Sequence, residues 1–131
     1  MYFYLLMAHS LVRWAVIALG LLAAFSLLRP GGAGGRRVVP FVIALDLQLI
    51  LGAALWLWLS PLSSAHGGVL ADPETRHFTV AHPGVGITAV LLGHTGNVFL
   101  KKGFAQARLL IFLAVASALV AVPWGRPLFR L

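Results

Sequence analysis

The stretch Arg76–Asn97, RHFTVAHPGVGITAVLLGHTGN, decides the fold. It is long and apolar enough to cross a bilayer, yet it sets His82, Pro83, His94 and the glycines Gly84, Gly86, Gly93 and Gly96 inside that length. A helix rises about 1.5 Å per residue, so His82 and His94 stand about 18 Å apart along one axis, each at its own depth. Ionisable groups placed inside an apolar span are functional candidates by default.

The rest of the chain has the same character. Of 131 residues, 60% are hydrophobic and 10% charged, and the mean hydropathy is +0.95. A soluble domain carries about 25% charge, so composition points to an integral membrane protein. The formal charge of +7 sits mainly in short connections and at the C-terminus, which reads as topology determinants and lipid anchoring and not as a nucleic-acid surface. With no cysteine, disulfide frameworks, thiolate metal sites and c-type haem attachment are excluded. The N-terminus lacks a basic n-region and a small-residue cleavage site, so its apolar run is expected to stay as a first membrane helix.

Four apolar segments, about 4–28, 38–60, 76–100 and 105–124, are each expected to span the hydrocarbon. The fold expected is all-α, a single domain built as an integral membrane four-helix up-and-down bundle. The connection Arg29–Arg37 holds three arginines, and Lys101, Lys102 and Arg108 cluster after the third span. The positive-inside rule puts both on the cytoplasmic face of a bacterial inner membrane and the two termini on the periplasmic side. Asp72-Pro73-Glu74 reads as a helix start with Asp72 as N-cap and Pro73 in the first turn. Either Pro83 then kinks the third helix from inside or His82 caps a helix that starts at Pro83; in both cases the carbonyls near position 79 lose a partner.

His9 lies in AHSLVRW near the outer end of the first helix, with Arg13 one turn on. Short connections force the helices to alternate, so His9 and His82 are expected at one depth. Two neutral imidazoles on separate helices suit bis-histidine ligation of a b-type haem iron, with Arg13 pairing a propionate. Gly84, Gly86 and Gly52 would let a flat macrocycle approach the backbone. In the plainer reading the histidines pack through hydrogen bonds and the glycines let helices close up. Asp46 is expected level with His94. A contact between them would solve the cost of a carboxylate in hydrocarbon, as a proton relay or as a contact fixing helix register. No other histidine shares the depth of His94, so a second haem is not expected. Gln48, one turn from Gly52, could border a quinone head group. Trp14, Trp56, Trp58 and Trp124 read as an interfacial belt. His66 and His77 read as loop histidines, with metal ligation together with His82 and Asp72 as the sharper alternative. Neither a nucleophile triad nor a phosphate loop is present, so a hydrolase is not expected.

The combination HSLVRW, LQLILGAALWLWLSP, FTVAHPGVGITAVLLGH and VPWGRP resembles small four-helix bacterial membrane proteins commonly labelled cytochrome b-like. The similarity covers nearly the whole chain. It implies His9 and His82 as candidate haem ligands and Arg13 as the anion-binding group. This chain departs from the pattern at Asp46, where a histidine is expected, which removes an inner-site ligand, and at Ala81, where an acid often precedes the HP pair, which removes a partner for His82; the resemblance thus implies one haem more than two.

Three functions follow as expectations. The first is an electron carrier with one haem b between the first and third helices, exchanging electrons with a quinol or a respiratory complex. The second is a cofactor-free small subunit or assembly factor, for which a homo-oligomer is also open. The third is a periplasm-facing metal-binding or transport protein built from His9, His77 and His82. A stand-alone enzyme is the weaker expectation.

Overall fold

The structure is a computed structural model and describes residues 2–29, 34–59 and 73–124. The described residues are helical, with no strand among them. α1 runs Tyr2–Leu28 without proline or acid and stops ahead of the sequence Arg29-Pro30-Gly31-Gly32, where proline and glycine cannot continue it. α2 runs Gly34–Leu59 and carries Pro40 in its second turn. The third rod has three parts: α3, Pro73–Arg76, a π-helical turn over His77–Ala81, and α4, His82–Lys101. α5 runs Ala107–Val120. Three of these rods, through Tyr2–Leu28, Gly35–Leu57 and His77–Lys101, are long and apolar enough to cross a membrane.

Each rod packs against two others. α1 touches α2 and α5, and α4 touches the same two, so α1 and α4 face each other across the diagonal of a four-membered ring. Alternating direction collects Arg29, Arg36, Arg37, Lys101, Lys102 and Arg108, all exposed, at one end of the bundle. At that same end lies a closely packed core of Val16, Ala23, Phe41, Leu45, Ile111 and Ala114 with their neighbours. Glycines set how near the helices come. A Cβ on Gly20 would stand 2.9 Å from the Phe41 ring, and one on Gly96 would stand 2.7 Å from Ile111 Cδ1.

The fourth span differs from the sequence reading. α5 has 14 residues, about 21 Å of helix, short of the ~30 Å of hydrocarbon that a full span over 105–124 would cover. Its start is delayed by a tight turn in which Gly103 takes φ 75° and Phe104 N–H bonds Phe99 O at 2.9 Å, the two rings stacking edge-on at 5.0 Å. Its end is set by Pro123, which disfavours helix in the residue before it; Trp124 then folds back so that its indole N–H donates to Leu119 O at 3.0 Å. The third rod begins at Pro73, ahead of the apolar stretch at 76, where Asp72-Pro73-Glu74 reads as a helix start. The expected cap Asp72 lies outside the described residues, as do His66, Arg126 and Arg130.

Candidate functional site

The half of the bundle away from the cations carries His9, Gln48 and His82. His82 opens α4, directly after the π turn, and its own N–H reaches back five residues to His77 O. Pro83 supplies no N–H for an α-helical bond to Thr79 O. Trp56 of α2 donates its indole N–H to that carbonyl at 2.9 Å. A tryptophan assigned by sequence to the interfacial belt thus ties the distorted turn to α2.

The His82 ring is fixed from behind. Its Nδ1 lies 2.9 Å from Ala121 O, just past the end of α5. A carbonyl only accepts, so Nδ1 carries the hydrogen, and the neutral ring keeps its lone pair on Nε2. This is the tautomer that an Nε2 metal ligand needs, held by the kind of backbone bond that orients such ligands.

His9, in the second turn of α1, reaches across the diagonal. Its ring centre is 6.1 Å from that of His82, with the planes at 67°. Gln48 of α2 bonds His9, Nε2 to Nε2, at 3.1 Å, and the His9 ring lies against Gly52, where a Cβ would meet Cε1 at 3.3 Å. The pair is not closed: His9 Nδ1 and Gln48 Oε1 are both buried without a hydrogen-bond partner. Turning the amide over exchanges which atom donates but still leaves one nitrogen of the ring and one end of the amide unmatched. Each such group costs about 1–3 kcal/mol in a dry site.

Arg13 stacks over the Trp14 ring at 5.4 Å and acts electrostatically on both imidazoles. His77, which is exposed, and Phe78 flank His82 with ring centres at 6.4 and 5.7 Å. Gly86 is one turn further along α4, on the inward stripe shared by His82, Ala89 and Gly93. A Cβ there would meet nothing within 4 Å. The helix thus has space at Gly86 and close contact at Gly96, nearly three turns further along. Gly84 also has no neighbour within 4 Å, but it is exposed on the outer face.

The structure brings His9, His82, Gln48 and Gly52 together, with Arg13 alongside and Gly86 at the open space. Gln48, the residue read as a possible quinone contact, bonds His9. Asp46 and His94 form a second polar point, with Nε2 and Oδ1 2.8 Å apart. Among the described residues, no three His, Asp or Glu side chains gather at one metal position, so His9, His77 and His82 do not form such a group. Sequence reasoning passed over Ala121, whose role is a backbone carbonyl and carries no residue signal. It also passed over the hydrogen bond from Trp56, for which Pro83 and its unpartnered carbonyl were the available clue.

No protein family, no curated protein and no solved structure matches the chain.

Proposed function

We propose that this chain is a multi-pass protein of a bacterial inner membrane that holds one haem b between His9 and His82 and serves as an electron carrier. The observation that carries the reading is the imidazole pair itself, placed on diagonally opposite helices with ring centres 6.1 Å apart. The chemistry of the donors also fits: His82 presents Nε2, while His9 and Gln48 keep unmatched buried atoms that a guest would relieve. A Cβ on Gly86, one turn from His82, would meet nothing within 4 Å, which supports room beside the pair.

Haem b supplies one-electron transfer when bound. Everything else belongs to the chain. Ala121 O holds the proton on His82 Nδ1, so that Nε2 stays a ligand. Gln48 sets the rotation of His9 and must release Nε2 if that atom is the one that binds. Arg13 places a fixed positive charge where a carboxylate side group would be neutralised. Trp56 holds the π turn from which His82 projects. The basic end supports cytoplasmic placement of that end, with the histidine end and both termini periplasmic. A quinol or a larger respiratory complex is the partner class proposed for the electron.

The test is an oxidised and dithionite-reduced visible spectrum of protein purified in mild detergent, with a pyridine haemochrome count. A low-spin b-type spectrum near one haem per chain is expected, lost in His9→Ala and His82→Ala and kept in His77→Ala. One observation favours a second reading: the Gln48–His9 bond already ties α1 to α2, as a cofactor-free subunit or assembly factor would use it. Protein that stays colourless after haem reconstitution and co-purifies with a larger membrane complex would put that reading first.

A further inference from the structure

Asp46 and His94 lie apart from the imidazole pair and serve none of the roles above. They bridge α2 and α4 at the margin of the bundle, and their side chains remain 40% and 52% exposed. Around them the outer faces are apolar or small. Ile43, Ile50 and Ala53 of α2, and Leu91, Thr95 and Val98 of α4, are all exposed.

This inference rests on the membrane-spanning part of the proposed function and not on haem. In that setting the pair lies in the cytoplasmic half of the hydrocarbon, where a net charge is costly. The electroneutral pair holds one proton between Nε2 and Oδ1. His94 Nδ1 then carries a hydrogen and Asp46 keeps Oδ2, which gives one donor and one acceptor still to be matched. A donor and an acceptor on one patch are self-complementary: a two-fold axis lays the donor of each copy on the acceptor of the other. Lipid tails offer neither group.

We propose that the outer α2–α4 face is where two copies of this chain meet, with Asp46 and His94 at the polar centre of the contact. The small residues Gly84, Thr88 and Thr95 lie exposed along the same side of α4 and permit the close approach on which helix association in lipid depends. The Thr88 hydroxyl donates back to Gly84 O at 2.9 Å, so it adds no unmatched polar group to the face.

The chain has no cysteine, which gives a clean background for cross-linking. Single variants Leu91→Cys and Thr95→Cys, with Leu109→Cys and Leu113→Cys on the exposed side of α5 as controls, are oxidised in native membranes with copper phenanthroline. Covalent dimer is expected from positions 91 and 95 and not from 109 and 113. Adding Asp46→Leu with His94→Leu should weaken dimer formation about tenfold, the loss expected for two interhelical hydrogen bonds. Equal cross-linking at all four positions, or none at 91 and 95, overturns the proposal; a quinone or a foreign helix covering the patch would give the latter. The cysteine pattern in the otherwise native chain stands even if the double variant fails to fold. Extraction at alkaline pH separates the two levels: a chain that leaves the membrane refutes the spanning reading, whereas one that stays without self-contact refutes only the dimer.

Discussion

Alanine should stabilise the chain at Gly86 and fail to do so at Gly96, although both glycines lie on one stripe of one helix. Replacing a mid-helix glycine with alanine gains about 1 kcal/mol from backbone entropy alone. At Gly86 the new methyl meets nothing within 4 Å, so that gain stands unopposed. At Gly96 it would stand 2.7 Å from Ile111 Cδ1, 3.0 Å from Ile111 Cγ1 and 3.1 Å from Leu110 Cβ. Ile111 is fully buried, and Leu110 Cβ moves only with its backbone. Overpacking of this kind costs about 1–3 kcal/mol, which leaves Gly96→Ala neutral to about 2 kcal/mol less stable. The two variants should therefore differ by about 1–3 kcal/mol, or roughly 4–12 °C in apparent melting temperature for a chain of this size. Intrinsic tryptophan fluorescence during thermal unfolding in one detergent measures the difference. A Gly86→Ala variant that loses as much as Gly96→Ala would falsify the reasoning, since it would mean that the space beside His82 is already filled by the chain. Gly86→Leu extends the test to function: its side chain occupies the space there, so haem content should fall while the colourless protein melts no lower than haem-free parent.

Other variants probe the supports of the pair. Trp56→Phe removes the indole donor to Thr79 O and should cost about 1–2 kcal/mol, read as a drop of roughly 4–8 °C in apparent melting temperature; an unchanged melt would mean the π turn holds itself. Gly52→Leu drives a side chain into the place of the His9 ring and should abolish the haem spectrum, whereas Gly84→Leu, which faces outward into open space, should leave it intact. Gln48→Leu frees His9 Nε2, so the haem reading expects a spectrum that survives with a shifted reduction potential. Complete loss of colour there would assign Gln48 an obligatory part in holding the ring.

Depth was the legible part of this chain. Counting residues from the ends of four apolar segments joined by short connections put His9 level with His82, and Asp46 level with His94; the structure places the first two at 6.1 Å between ring centres and the second two at 2.8 Å. Rotation was not legible, because the angle of each helix about its axis is set by which small residues let a neighbour close in. Gly20 under Phe41 and Gly96 under Ile111 fix that angle, and nothing in an isolated helix sequence says which glycine meets which side chain. Pro83 announced a disturbed carbonyl near Thr79, but the donor lies on another helix, at Trp56. The short α5 was illegible for a related reason. Hydropathy runs on through 105–124, while the helix itself is bounded by a left-handed Gly103 and by Pro123.

The π turn at His77–Ala81 has a further consequence for how this chain can vary in length. A single π turn is an α-helix with one residue too many. Removing Val80, which is exposed, would convert the five-residue bond from His82 N–H to His77 O into an ordinary four-residue one. Everything from His82 onward would keep its register against α2 and α5, and only the short segment upstream would turn about the axis by roughly 100°. The rod thus contains a slip joint between its outer end and the imidazole site. Insertions and deletions upstream of His82 can be absorbed there without re-aiming the histidine.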